Sequence, residues 1–84
     1  MTNKELLCDM GYEDLVVFQN PDYDTAIIGV SHDDRVVYSY EKMIEHLVVF
    51  DDMTEMDAAD FISYNTIRSI PYAGSDAPIV MYDL

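Results

Sequence analysis

Positive charge is what this chain has least of. Four Lys and Arg stand against seventeen Asp and Glu in 84 residues, a formal net charge of −13. Phosphate backbones are held by Lys and Arg, so direct binding of nucleic acid is excluded as an expected activity. Anionic membrane surfaces would repel the chain in the same way. Cysteine is nearly absent as well. Cys8 stands alone, which excludes an internal disulfide and a cysteine-based zinc site and fits a reducing compartment. Long apolar runs are missing: the longest are about four or five residues, against the ~20 that span a bilayer. Met1 to Met10 lacks the basic and apolar regions of a signal peptide. A cytoplasmic location is the expectation.

What the chain does have is hydrophobic content. Half of its residues are hydrophobic and 12% are aromatic, too much for a solvated acidic tail. Residues 1–84 read as one small domain without repeats, linkers or low-complexity tracts. A chain of this size buries only about 60–65% of its unfolded surface, so it depends wholly on an apolar core.

Thr2-Asn3-Lys4-Glu5 is a capping-box pattern that opens a helix carrying Leu6, Leu7 and Met10, and Gly11 suits its C-terminal stop. Leu15-Val16-Val17-Phe18 reads as a short buried strand, followed by a turn at Asn20-Pro21-Asp22. Thr25 to Val30 and Arg35 to Tyr38 form the arms of a hairpin around Ser31-His32-Asp33-Asp34. Gly29 inside the first arm marks either a bulge or a close backbone approach. Ser39 caps a helix whose apolar positions, Tyr40, Met43, Ile44, Leu47 and Val48, keep the 3.6-residue period. Asp51-Asp52-Met53 interrupts it. Thr54 caps a third helix with Asp57 in the box position and Ala58, Ala59, Phe61 and Ile62 on the buried side. Asn65 to Ile70 reads equally as a frayed helix end or a separate turn, Pro71 to Asp76 as a loop, and Ile79 to Tyr82 as a closing strand. The expected fold is α+β in the order α-β-β-β-α-α-β. It has a mainly antiparallel sheet of three or four strands with helices packed on one face.

The acids lie in stretches that lack cations. Glu45, Asp51, Asp52, Glu55, Asp57 and Asp60 all fall between Lys42 and Arg68. Local salt bridges cannot neutralise them, and solubility alone asks for a charge magnitude of only about 2–8 in a small domain. On a helix, acids three to five residues apart are ~4.5–7.5 Å apart along the axis, close to phosphate spacing. The competing explanation is a solvated face that also favours a helix N-terminus. Asp22/Asp24, Asp33/Asp34 and Asp51/Asp52 are paired hard ligands, but none has the Gly and terminal Glu of a calcium loop, and His32 and His46 lack zinc spacing. No metal or cofactor is expected. Cys8 sits in an apolar helix among carboxylates, the opposite of the electropositive surroundings a nucleophilic cysteine needs, His46 reads as a solvated helix residue, and no Gly-x-Ser-x-Gly, Gly-rich phosphate loop or Walker pattern is present. The chain is therefore not expected to be an enzyme. Among seven tyrosines, Tyr38, Tyr40, Tyr64 and Tyr82 fall at element ends or faces, where the ring buries and the hydroxyl stays wet. Tyr72, in a loop, is either an interface anchor or the roof of a small core. Met43, Met53, Met56 and Met81 read as core filler, with Met53 and Met56 alternatively a soft exposed patch.

Asp24-Thr25-Ala26-Ile27-Ile28-Gly29-Val30, Arg35-Val36-Val37-Tyr38, Tyr40-Glu41-Lys42-Met43 and Tyr64-Asn65-Thr66-Ile67-Arg68 with Pro71-Tyr72 together resemble a set of short acidic proteins. These recur in genomes and mobile elements of low-GC Gram-positive bacteria. That set carries no known activity, so the resemblance supplies no site; it only marks Asn65, Thr66, Arg68 and Tyr72 as a cluster. Arg68, in so acidic a chain, is expected to hold carboxylates or backbone carbonyls. The expected function is a non-enzymatic acidic domain that binds a protein with a basic surface. In its sharpest form it is a nucleic-acid mimic that inhibits a DNA- or RNA-binding protein, with Glu45, Asp51, Asp52, Glu55, Asp57, Asp60 and Tyr72 as contacts. The alternative is a small interaction domain working through a sheet edge and the Tyr72 loop, with charge incidental. Self-association as a homodimer through an uncovered edge belongs to that class.

Overall fold

The structure, a computed structural model, describes residues 2–19 and 21–84. Helix α1 (Asn3–Asp9) starts where Thr2 accepts a hydrogen bond from the Glu5 amide. It ends in a Schellman closure: Gly11 takes φ +93°, its amide bonds to Cys8, and the Tyr12 amide reaches back to Leu7. That φ is one a side chain would strain, which explains the glycine. A single 3₁₀ turn (Asp24–Ala26) then leads into strand β1 (Ile27–Val30), and a tight loop returns the chain as β2 (Val36–Ser39). The hairpin is the one the β-branched arms predict, and its register slips between Ile27 and Gly29. Nothing lies within 4 Å of a Cβ built at Gly29, so of its two sequence readings the bulge holds and the close approach does not.

Ser39 and Thr54 cap as expected. Ser39 accepts from the Lys42 amide at the start of α2 (Tyr40–Phe50), and Thr54 from the Asp57 amide at the start of α3 (Glu55–Phe61). The ambiguous segment after α3 is neither frayed nor a turn. It continues as one wide π turn (Ile62–Thr66) and then a 3₁₀ helix (Ile67–Ala73), so the expected loop at Pro71 begins inside a helix. The Asn65 side-chain amide donates to the Phe61 carbonyl and competes with the regular ladder there. Strand β3 (Ile79–Met81) follows.

Two further expectations fail. Leu15–Phe18 is not a strand. Leu15, Val17 and Phe18 pack on the core, but the Phe18 amide donates to the Tyr38 hydroxyl instead of joining a ladder (3.1 Å). Nor is the sheet mainly antiparallel. Its order is β1-β2-β3, with β1 antiparallel and β3 parallel to the central β2, so it is a three-stranded mixed sheet. The reason lies in the connection: α2, α3 and the segment after them carry the chain from one end of β2 back to the other, as a parallel neighbour requires. Asn20, part of the predicted turn, lies outside the described residues.

The core is continuous. Ile27, Val36 and Tyr38 from the sheet meet Met43 and Leu47 of α2, Ala58 of α3 and Ile62, with Leu7 and Tyr23 closing it toward α1. Tyr23 and Tyr38 are fully buried, and their hydroxyls are not wet. Tyr23 bonds Thr66 Oγ1 at 2.7 Å, and Tyr38 accepts the Phe18 amide. Among the described residues no helix is long and apolar enough to cross a membrane.

Candidate functional site

Much of the acidity near β1 turns out to hold the fold together. The Asp24 carboxylate accepts from the backbone amides of Asn3 and Lys4, both at 3.0 Å, and so caps α1 from across the chain. Asn3 answers with its side-chain amide on the Asp24 carbonyl. Asp22 pairs with Lys4 at 3.7 Å and accepts the Asp24 amide. Asp33 takes the Ser31 hydroxyl and lies 3.3 Å from Arg35 Nε, contacts that hold its carboxyl below the usual range. Asp83 accepts from the Ser39 hydroxyl at 2.8 Å.

Glu45, Asp51, Asp52, Glu55, Asp57 and Asp60 are different. All six are exposed, and among the described residues none of their carboxylates has a hydrogen-bond or ion-pair partner. They occupy α2, the link and α3, two helices that pack on one another. Glu55 and Asp57 lie in the first turn of α3, where negative charge also stabilises the helix. Asp52 sits at φ +55°, a backbone state Asp tolerates better than most residues. Asp51 has neither reason: it terminates α2, at the negative end of the helix dipole, with no basic residue in that helix's last turn.

Apolar side chains stand among these acids. Val49 and Phe50 in the last turn of α2 are 71% and 65% exposed, and Met56 at the start of α3 is 77% exposed. Of the two methionines read as filler or patch, Met56 is patch, whereas Met53 packs against the core. Beside this corner a cleft of about 470 Å³ opens between Gln19, Pro21 and Asp22 on one side and the end of α2, the link and α3 on the other. Pro21, Met53 and Phe61 supply its apolar surface, Asp22 and Asp51 its carboxylates. Asp51 is the only one of the six expected acids in its wall.

His46 also lines the cleft, and it is not the solvated residue that its helix position suggests. It is half-buried, shares a hydrogen bond with Thr25 Oγ1 (Nδ1, 3.1 Å) and stacks obliquely between Tyr23 and Phe50. The one sequence signal for this was Phe50 at i+4 from His46 on the same helix. Asp22 and Pro21 carried no such signal, since they reach the cleft from a distant turn.

Tyr72 stands apart. It is 91% exposed, so it does not roof a core, and it lines a separate groove with Val16, Val17, Phe18, Ile70 and Pro78. Arg68 is exposed and makes no ion pair or side-chain hydrogen bond among the described residues, contrary to the bracing role expected of it. Thr66 is buried on Tyr23, and Asn65 is spent on Phe61, so both are structural. Cys8 is exposed. Among the described residues no three His, Cys, Asp or Glu are grouped to hold a metal ion. Comparison with protein-family models, with curated proteins and with solved structures gives no match.

Proposed function

We propose that this chain is a non-enzymatic binding domain that presents the α2–α3 corner to a basic surface of another protein. One observation carries the reading: unpartnered Asp51, Asp52, Glu55 and Asp57 alternate with exposed Val49, Phe50 and Met56 around the α2–α3 link. Apolar contacts ringed by polar groups are the anatomy of a protein interface, and carboxylates at the rim steer a basic partner toward it. In the narrower form the partner is a DNA- or RNA-binding protein, and the helical carboxylates stand in for phosphates. The compartment is cytoplasmic, and no cofactor takes part.

The test is capture of a partner from cell extract by immobilised protein, at low and high salt, with duplex DNA or RNA as competitor. Capture should fall steeply with salt, nucleic acid should displace the partner, and Glu45→Lys with Asp57→Lys and Asp60→Lys should weaken it at least tenfold. Salt-insensitive capture refutes the reading.

A second reading has its own support. Tyr72 is almost fully exposed beside a groove that Val16, Val17 and Phe18 also line. There Tyr72→Ala would abolish capture, the three charge reversals would leave it intact, and charge would be incidental.

A further inference from the structure

We infer that the cleft between Asp22, Asp51 and Phe61 is a receptor for one arginine side chain of the basic partner. The inference rests on the basic-surface reading and adds to it the group that the cleft selects.

The chemistry of the walls narrows the ligand. At about 470 Å³ the cleft lies within the roughly 300–1,000 Å³ range of ligand sites, ample for one long side chain. Pro21, Met53 and Phe61 offer an apolar surface, while Asp22 and Asp51 offer two carboxylates. A neutral apolar ligand would strip water from both carboxylates and return nothing. An anion would meet two like charges inside a molecule of net charge −13. A divalent metal lacks a third ligand, because no three His, Cys, Asp or Glu are grouped to hold one among the described residues. A cation on an aliphatic stem satisfies both walls at once. Between the two such side chains, guanidinium is more weakly hydrated than ammonium, lies against aromatic rings, and bonds carboxylates through a planar fork.

Asp51 strengthens the assignment. The fold makes no use of its carboxylate, and its place at the end of α2 is electrostatically unfavourable for that helix. Asp22 is shared: Lys4 holds it at 3.7 Å, a loose pair with both side chains more than a third exposed, which an incoming guanidinium can displace.

The experiment is an NMR titration of the isotopically labelled full chain with N-acetyl-arginine methylamide. The uncharged citrulline analogue and the lysine analogue run in parallel. The expected result is saturable shifts at Met53, Phe61 and His46, binding by citrulline at least fivefold weaker, and lysine between the two. Asp51→Asn, an exposed change that the spectrum itself shows to be folded, should weaken arginine binding about three- to tenfold, and Glu13→Gln should not. Equal response to citrulline, or non-saturating shifts spread evenly over the acids of α2 and α3, overturns the inference. Partner capture separates this from the broader reading. If Asp51→Asn leaves salt-sensitive capture intact, the acidic corner stands and the arginine receptor falls. If capture is salt-insensitive while arginine still saturates the cleft, the corner reading falls alone.

Discussion

Two buried phenols show how single residues are used. Tyr38 lies under the sheet with its hydroxyl on the Phe18 amide, and burial, with Asp22 and Asp24 nearby, pushes its pKa from 10.0 up to about 12. Burial raises Tyr23 in the same direction, against the Thr66 hydrogen bond. The unfolded chain gives up these protons first, so stability is whole below about pH 10 and is lost as pH rises toward 12. For Tyr38 the loss is on the order of 2–3 kcal/mol. Tyr38→Phe should cost about 1–3 kcal/mol at neutral pH, because the Phe18 amide loses its acceptor. It should also flatten the alkaline limb between pH 10 and 12. Urea unfolding across that range measures both, and an unchanged alkaline limb would refute the assignment.

At the scale of elements, α1 is the part most exposed to a single loss. Its seven residues are too few to hold a helix alone in water. Asp24 supplies two of its N-terminal acceptors from outside the helix. Asp24→Ala should destabilise the protein by about 1–2 kcal/mol. The amides of α1 should also exchange hydrogen faster, while exposed Glu13→Ala stays within about 0.5 kcal/mol. Equal effects of the two changes in thermal melts would deny Asp24 that role. Elements also show what was readable beforehand. The caps at Thr2, Ser39 and Thr54, the glycine stop at Gly11 and the β1–β2 hairpin rest on neighbours in sequence, and all were legible. The Asp24 cap, the Asp83–Ser39 bond and the parallel pairing of β3 join residues far apart, and no local pattern reports them. Leu15–Phe18 misled because apolar, β-branched composition signals burial rather than pairing. The candidate site divides along the same line. Exposure of the acids on α2 and α3 followed from helical periodicity, whereas the cleft, assembled from Pro21, Asp22, His46 and Phe61, did not.

For the molecule as a whole, charge and core act against each other. Few of the acids are neutralised, with Lys4–Asp22 and Arg35–Asp33 the ion pairs among the described residues. Mutual repulsion therefore weakens the native state at low ionic strength. Raising sodium chloride from about 0.01 M to 0.15 M contracts the screening length from about 30 Å to about 8 Å, and the melting temperature should rise. A gain of 1 kcal/mol corresponds to roughly 4–8 °C in a domain of this size. Glu45→Lys should reproduce part of that rise in low salt. Calorimetry showing no salt dependence would mean that local dipoles already balance the acids.

The parallel seat of β3 has a kinetic consequence. Its pairing with β2 closes the span from Ser39 to Ile79, whereas β1 and β2 meet across a short loop. Chain entropy makes the wider closure the later one, so refolding should pass through a hairpin-and-helix intermediate stage in its barrier rather than a finished sheet. Pulse-labelled amides of β1 and β2 would then gain protection ahead of those in Ile79 to Met81, and until that moment one side of β2 stays open to pairing with another chain.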